Sequence, residues 1–169
     1  MKEFDSLIES LPEAARDLKA NLRLVLAESA LTHPQRWGVA IACALASRSP
    51  ELVRALIAGA DGLDASVEED ARAAAALMAM SNVYYRFRHE VSDEYRSHHA
   101  RLRMTRLARP LGSKLDFELF CLAASAIYHC DVCVEAHEKA VREHGLTDEH
   151  VLDAIRIAAV VHGVAVALG

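Results

Sequence analysis

The chain has 169 residues, enough for one domain with a substantial core, and 53% of them are hydrophobic while aromatics make up only 5%. A formal charge of −5 and a pI near 6.0 argue against nucleic acid or an anionic membrane as the main partner, and leave a small neutral or acidic substrate open. Abundant Ala with only 7 Gly and 4 Pro suits closely packed helices rather than sheets, so the expected fold class is all-α.

Ser10-Leu-Pro-Glu13 has the form of a capping box with Pro in the first turn, and Ala15, Leu18, Leu22, Val25 and Leu26 follow at helical spacing. A long amphipathic helix is expected to start there. Thr32-His-Pro-Gln35 repeats the start signal for a second helix through Trp37, Ile41 and Leu45 to about Ser47, and Ser49-Pro50 opens a third. Ser66-Val-Glu-Glu69 is expected to cap a fourth, running through Ala71, Ala74, Ala75 and Met78 to about Arg86. Residues 87–112 mix charges with His98 and His99 and end in Pro110-Leu-Gly112, which reads as a connector holding a short helix. Beyond it, helices are expected over about 115–129, 131–144 and 148–168, with Gly145 as the residue just past a helix end and Thr147 as the next N-cap.

The halves agree at an offset of 83 residues: Gln35 falls on Glu118, Ser47 on Cys130, Pro50 on Cys133, Arg54 on His137, Gly62-Leu63 on Gly145-Leu146, and Asp70-Ala71 on Asp153-Ala154. This reads as an internal two-fold repeat without insertion, a degenerate first copy at about 30–87 and an active second copy at about 113–169, within a single domain spanning 1–169. Chance agreement between two Ala-rich helical stretches is the alternative. No basic segment followed by an apolar stretch opens the chain. The longest apolar run, Ile157 to Leu168, is short and interrupted by His162, so a soluble cytoplasmic protein is expected.

The chemistry gathers in the second copy. Cys130 and Cys133 form a C-x-x-C pair, and His137 follows four residues beyond the second cysteine. On a helix these positions share one face, with the two cysteine Cα atoms roughly 5 Å apart, inside the range a disulfide bridges. Cys130 falls near the N-cap, where unpaired N–H groups and the helix dipole favour a thiolate. His137 can take a proton from Cys133 directly or through one water, and Glu118 on the preceding helix can hold that imidazole in one tautomer. Blander readings stand beside these. Glu118 is also an ordinary acid for a first helical turn, the cysteines with His129 and His137 make a possible structural zinc half-site, and Tyr128, His129 and His162 are ordinary packing or surface residues. Cys43 and Cys121, set among Ala, Leu and Ile, read as small buried hydrophobes.

The spacing Glu118, Cys130, Cys133, His137 resembles the signature of the alkylhydroperoxidase AhpD family, within the carboxymuconolactone decarboxylase-like group. The stretches LPEAARDLKANL (11–22), ALMAMSNVYYRFR (76–88), RLRM (101–104) and AAVVHGVAVAL (158–168) are similar to corresponding parts of those proteins, so the likeness covers nearly the whole chain. It implies an AhpD-like helical fold, a homotrimer, and an antioxidant thiol-dependent peroxidase. In that enzyme Cys133 attacks peroxide and becomes a sulfenic acid, and Cys130, the more exposed sulfur, resolves it to a disulfide and meets the reductant. The reverse order, with Cys130 attacking because the helix N-terminus acidifies it, stays open. The resemblance further implies electrons from a dihydrolipoyl group on a 2-oxo acid dehydrogenase component through an adaptor, onward transfer to peroxide or to an AhpC-type peroxiredoxin, and no metal or tightly bound cofactor. Better-known relatives carry a His immediately before the second cysteine. Here that place is Val132, which leaves activation to His137 and Glu118 with His129 as a possible auxiliary. The rivals are a lactone decarboxylase of the wider group, which does not need paired cysteines, and a non-catalytic redox-sensing or interaction subunit, which shows a reversible disulfide without turnover.

Overall fold

A computed structural model describes residues 2–169, and these form ten α-helices with no strand among them. They are α1 (Lys2–Ser10), α2 (Arg16–Ala27), α3 (His33–Ala46), α4 (Pro50–Gly59), α5 (Ala65–Glu90), α6 (Asp93–Arg96), α7 (Thr105–Ala108), α8 (Lys114–Ile127), α9 (Asp131–Glu143) and α10 (Asp148–Leu168), with a 3₁₀ turn at Glu13–Ala15. The all-α expectation stands. At the N-terminus the expected single long helix is instead two. The Ser10 hydroxyl donates back to the Leu7 carbonyl at 2.7 Å, so it closes α1 rather than opening α2, and Pro12 starts the 3₁₀ turn. Asp64, not Ser66, caps α5, accepting from the Ser66 N–H at 2.8 Å. The connector holds two short helices rather than one.

Two helices are buried on every side along their middle turns. In α3 every residue from Val39 to Ala44 is fully buried, and in α8 so is nearly every residue from Phe117 to Ser125. A helix apolar all round has to be covered all round, and here α4, α5, α9 and α10 do the covering. The pair runs side by side in the same direction. Gln35 Nε2 donates to Asp116 Oδ1 at 2.8 Å, and a little further along the Phe120 ring lies over Gly38. A methyl at position 38 would sit 2.2 Å from that ring, so α3 can approach α8 only with glycine there. Alanine in its place forces the ring aside, an overpacking cost on the order of 1–3 kcal/mol.

The loops entering these two helices are braced by buried acids. Asp153 of α10 accepts from Ala30 N at 2.7 Å and Ser29 Oγ at 3.0 Å, just before α3. Asp70 of α5 accepts from Leu111 N at 3.0 Å and Gly112 N at 2.7 Å, just before α8, and pairs with Arg106. The expected caps at Thr32 and Thr147 are present, each closing a capping box with the residue three places on.

The backbone angles pair the halves differently from the constant offset of 83. Ser47 and Tyr128 share φ −81°, ψ 0°, Arg48 and His129 lie at φ 56° and 55°, and Ser49 at φ −108° matches Cys130 at φ −111°. The offset there is 81 residues, while the left-handed Gly62 and Gly145 are 83 apart. α9 is the longer helix of its pair, 13 residues against 10 in α4, and absorbs the difference.

α10 is long and apolar enough to cross a membrane by length and composition alone. One face of it, with Ala154, Ile157, Ala158, Val161 and Val164, packs into the core against α2, α3 and α8, while Leu152 and Val166 on the other side stay exposed.

Candidate active site

The site forms where α8 turns into α9. Tyr128 ends α8, His129 takes the left-handed conformation (φ 55°), and Cys130 is the N-cap of α9 in extended conformation. This tight reversal folds α9 back along α8, so that a residue two turns into α9 returns beside the early part of α8. The residues brought together are His137 and Glu118, whose Nδ1 and Oε2 lie 2.6 Å apart. α5 steadies the turn from outside. Arg86 Nη1 donates to the Tyr128 carbonyl at 3.2 Å, and buried Asn82 and Ser125 bond to each other one residue-contact below, where the Ser125 carbonyl accepts from Cys130 N.

Cys130 and Cys133 are joined as a disulfide with their Cα atoms 5.3 Å apart, so the pair closes within one helical turn, as their spacing predicts. The expectation that Cys130 is the more exposed is reversed in the single chain. Cys130 is fully buried, while Cys133 keeps 7% of its surface. Cys133 and His137 line a cavity of about 270 Å³ whose walls are otherwise Met78, Ser81 and Tyr85 of α5, Met104 and Leu107 around α7, and Val132 and Ala136 of α9. Val132 therefore faces the same space as Cys133.

Glu118 is buried, and burial by itself pushes its carboxyl up. Hydrogen bonds from His137 and Lys114, with their charges, outweigh that penalty and hold it below its ordinary value of 4.5. An ionised carboxylate can only accept, so His137 Nδ1–H donates to it, and Nε2 remains for the cavity side of the ring. Lys114, at the first position of α8, bonds both Glu118 Oε1 and the Leu107 carbonyl.

Of the other expected residues, His129 sits exposed in the turn itself. His162 is exposed on α10, with Nδ1 3.0 Å from Ser47 Oγ. Cys43 and Cys121 are free and buried, as expected, and burial pushes both thiols far above their ordinary value, with the Glu118 charge adding to the effect at Cys121. Among the described residues no group of three or more His, Cys, Asp or Glu is placed to hold a metal ion. The sequence reading missed Lys114, Asn82, Arg86 and the cavity walls. Lys114 alone left a signal, a cation in a first helical turn four residues before an acid.

A carboxyl held low in the folded state contributes stability that is complete above its unfolded value and is lost as pH falls through its folded value. Wild type should therefore exceed Glu118→Gln by about 1–3 kcal/mol at neutral pH, the worth of hydrogen bonds to a charged group, and the gap should close in acid below the ordinary carboxyl value of 4.5. Urea unfolding of both forms at neutral and acid pH checks this, and a gap that persists unchanged in acid contradicts it.

A model of the carboxymuconolactone decarboxylase family matches residues 95–168, which include Lys114, Glu118, Cys130, Cys133 and His137 but not the cavity wall that α5 supplies. Proteins named alkyl hydroperoxide reductase AhpD are similar over almost the full length. The one from Anaeromyxobacter sp. (strain Fw109-5) is 57% identical over 99% of this chain and 92% of its own. The one from Anaeromyxobacter dehalogenans (strain 2CP-C) is 54% identical over 99% and 91%. That of Brucella abortus (strain 2308) is 43% identical over 98% and 95%. With likeness of this extent running through every helix that builds the site, the chain belongs to the AhpD family.

Proposed function

We propose that the protein is a thiol-dependent alkyl hydroperoxide reductase that works through the Cys130–Cys133 pair. The observation that carries this reading is that Cys133 and His137 line one apolar cavity while Glu118 holds the far nitrogen of the same imidazole. In the reduced protein His137 Nε2 takes the Cys133 proton, and the thiolate attacks the distal oxygen of ROOH. The O–O bond breaks, Cys133 becomes a sulfenic acid, and the proton held by His137 goes to the departing alkoxide to give ROH. Cys130 then attacks the Cys133 sulfur, forming the disulfide and releasing water.

The burial of Cys130 bears on the reductive half. A dithiol entering through the cavity meets Cys133 first, and its attack there expels Cys130 as a thiolate at the N-terminus of α9, where the helix dipole favours the charge. Exchange with the reductant thus starts at Cys133, not at Cys130 as its expected exposure implied. The reductant we propose is a dihydrolipoyl group carried by a partner protein. Its second thiol displaces Cys133 and closes the lipoyl disulfide, so that two electrons pass without a bound cofactor. The reduced pair serves peroxide directly or regenerates an AhpC-type peroxiredoxin, in the cytoplasm. The first half of the chain, aligned by backbone angles, has Trp37, Ser49, Leu52 and Leu56 where the second has Glu118, Cys130, Cys133 and His137. This supports a duplication whose first copy lost the chemistry, or never had it.

With dihydrolipoamide and an organic hydroperoxide supplied, wild type should turn over, and Cys130→Ser and Cys133→Ser should each fall to background. Peroxide consumption by either serine variant at a rate near wild type would overturn the dithiol reading, and a reversible disulfide without turnover in wild type would favour a redox-sensing subunit.

We also propose a homotrimer. Met80, Val83, Phe87 and Val91 form an exposed apolar stripe along α5 at spacings of three and four residues, a face suited to a second copy. Light scattering at micromolar concentration should give three times the 18.5 kDa chain mass, and a monomer would contradict it.

A further inference from the structure

Lys114 is placed badly for its own helix. It is the first residue of α8, where the exposed N–H groups and the dipole disfavour a cation, and it precedes Glu118 by four residues, the weaker order for a helical ion pair. Its stem is nonetheless fixed at both ends. The ammonium bonds Glu118 Oε1 on one side and the Leu107 carbonyl of the cavity wall on the other. Glu118 then gives its second oxygen to His137.

We infer that Lys114 is a positioning residue of the proton relay: its ammonium, anchored on the Leu107 carbonyl, holds Glu118 by one oxygen so that the other is presented, ionised, to His137. The inference deepens the proposed reaction and rests on the roles of Glu118 and His137 in it. Two consequences follow from the chemistry. A carboxylate with one oxygen pinned cannot rotate away from the imidazole, so His137 keeps its proton on Nδ1 and its Nε2 unprotonated in the cavity that Cys133 also lines. A buried carboxylate also needs opposite charge to stay ionised, and Lys114 provides it without competing for the cavity, since 42% of its side chain is exposed on the outer side of α8. Because Lys114 also holds Leu107, the wall that faces the substrate and the relay that activates the thiol share one cation.

The other charged or titratable groups around Glu118 are accounted for. His137 approaches from α9, Cys121 is a buried thiol on α8 itself, and Asp70 of α5 is neutralised by Arg106 and the Leu111 and Gly112 N–H groups. α3 meets the start of α8 through neutral Gln35, bonded to Asp116, and the buried acid of α10, Asp153, is turned toward Ala30 and Ser29. Lys114 is therefore the group whose removal changes the charge on Glu118 most directly.

The test follows the His137 ring by ¹⁵N NMR in histidine-labelled full-length protein, with the signals assigned by their loss in His137→Gln. As pH is lowered, protonation of Glu118 appears as an acid step in the Nδ1 shift. In Lys114→Met that step should move to higher pH by on the order of one unit, because the burial penalty remains and one of the two compensating partners is gone. In Lys114→Arg, which keeps the charge and can reach both acceptors, the step should stay near wild type. If wild type unfolds in acid before showing the step, the unfolding pH is its upper bound, and a step above that point in Lys114→Met alone still meets the expectation. A methionine variant that titrates as wild type, or an arginine variant that shifts as far as methionine does, overturns the inference. No peroxide or reductant is present, so this result stands apart from the turnover assay, which tests the reaction itself.

Discussion

The close contact of α3 with α8 is the constraint on which the rest depends. Each helix is apolar on every side, and each has to be covered by neighbours before it is stable in water. Gly38 permits the contact by leaving room for the Phe120 ring, and the acids Asp70 and Asp153 fix how the chain enters the two helices. Once α8 is held in the centre, both of its ends serve the site. Its first turns carry Lys114 and Glu118, and its last turn hands over to the left-handed His129 and to Cys130. The candidate site is thus built on a central buried helix, with the connector contributing cavity wall through Met104 and Leu107 and an acceptor for Lys114 through the Leu107 carbonyl.

Burial sets the electrostatics of the relay. An isolated carboxylate at the depth of Glu118 would hold its proton, and the imidazole would then be free to choose either tautomer. The hydrogen bonds from His137 and from the Lys114 ammonium reverse that preference. The same burial that disfavours ionisation strengthens the hydrogen bonds that restore it, because both act in a medium less polarisable than water. Val132 carries no charge, so in the proposed cycle the activation of Cys133 rests on this one chain of contacts and on the dipole of α9.

Much of this was legible in the residues. The Thr32 and Thr147 capping boxes are local devices whose partners lie three positions away, and both form as read. The C-x-x-C pair and His137 are likewise local to one helix, so spacing alone placed them on one face. The pairing of Glu118 with His137 spans 19 residues and two helices, and it was readable only because the motif resembles a known family. The failures share a cause. Ser10 can serve the helix before it or the helix after it, and the choice was made by where Leu7 and Ile8 find burial. The burial of Cys130 has no local signal, because it depends on how α8, α9 and α5 pack together rather than on the residues beside it in sequence.

In the proposed cycle the Cys133 sulfur meets peroxide, and Glu118 and His137 activate it. The measurement is to treat reduced Cys130→Ser protein with one equivalent of an organic hydroperoxide in the presence of a dimedone-type probe, and to map the labelled residue by mass spectrometry over time. The account predicts rapid labelling at Cys133, slowed when Glu118→Gln or His137→Gln is added. Absence of label at Cys133, or labelling at a rate indifferent to both substitutions, would contradict it.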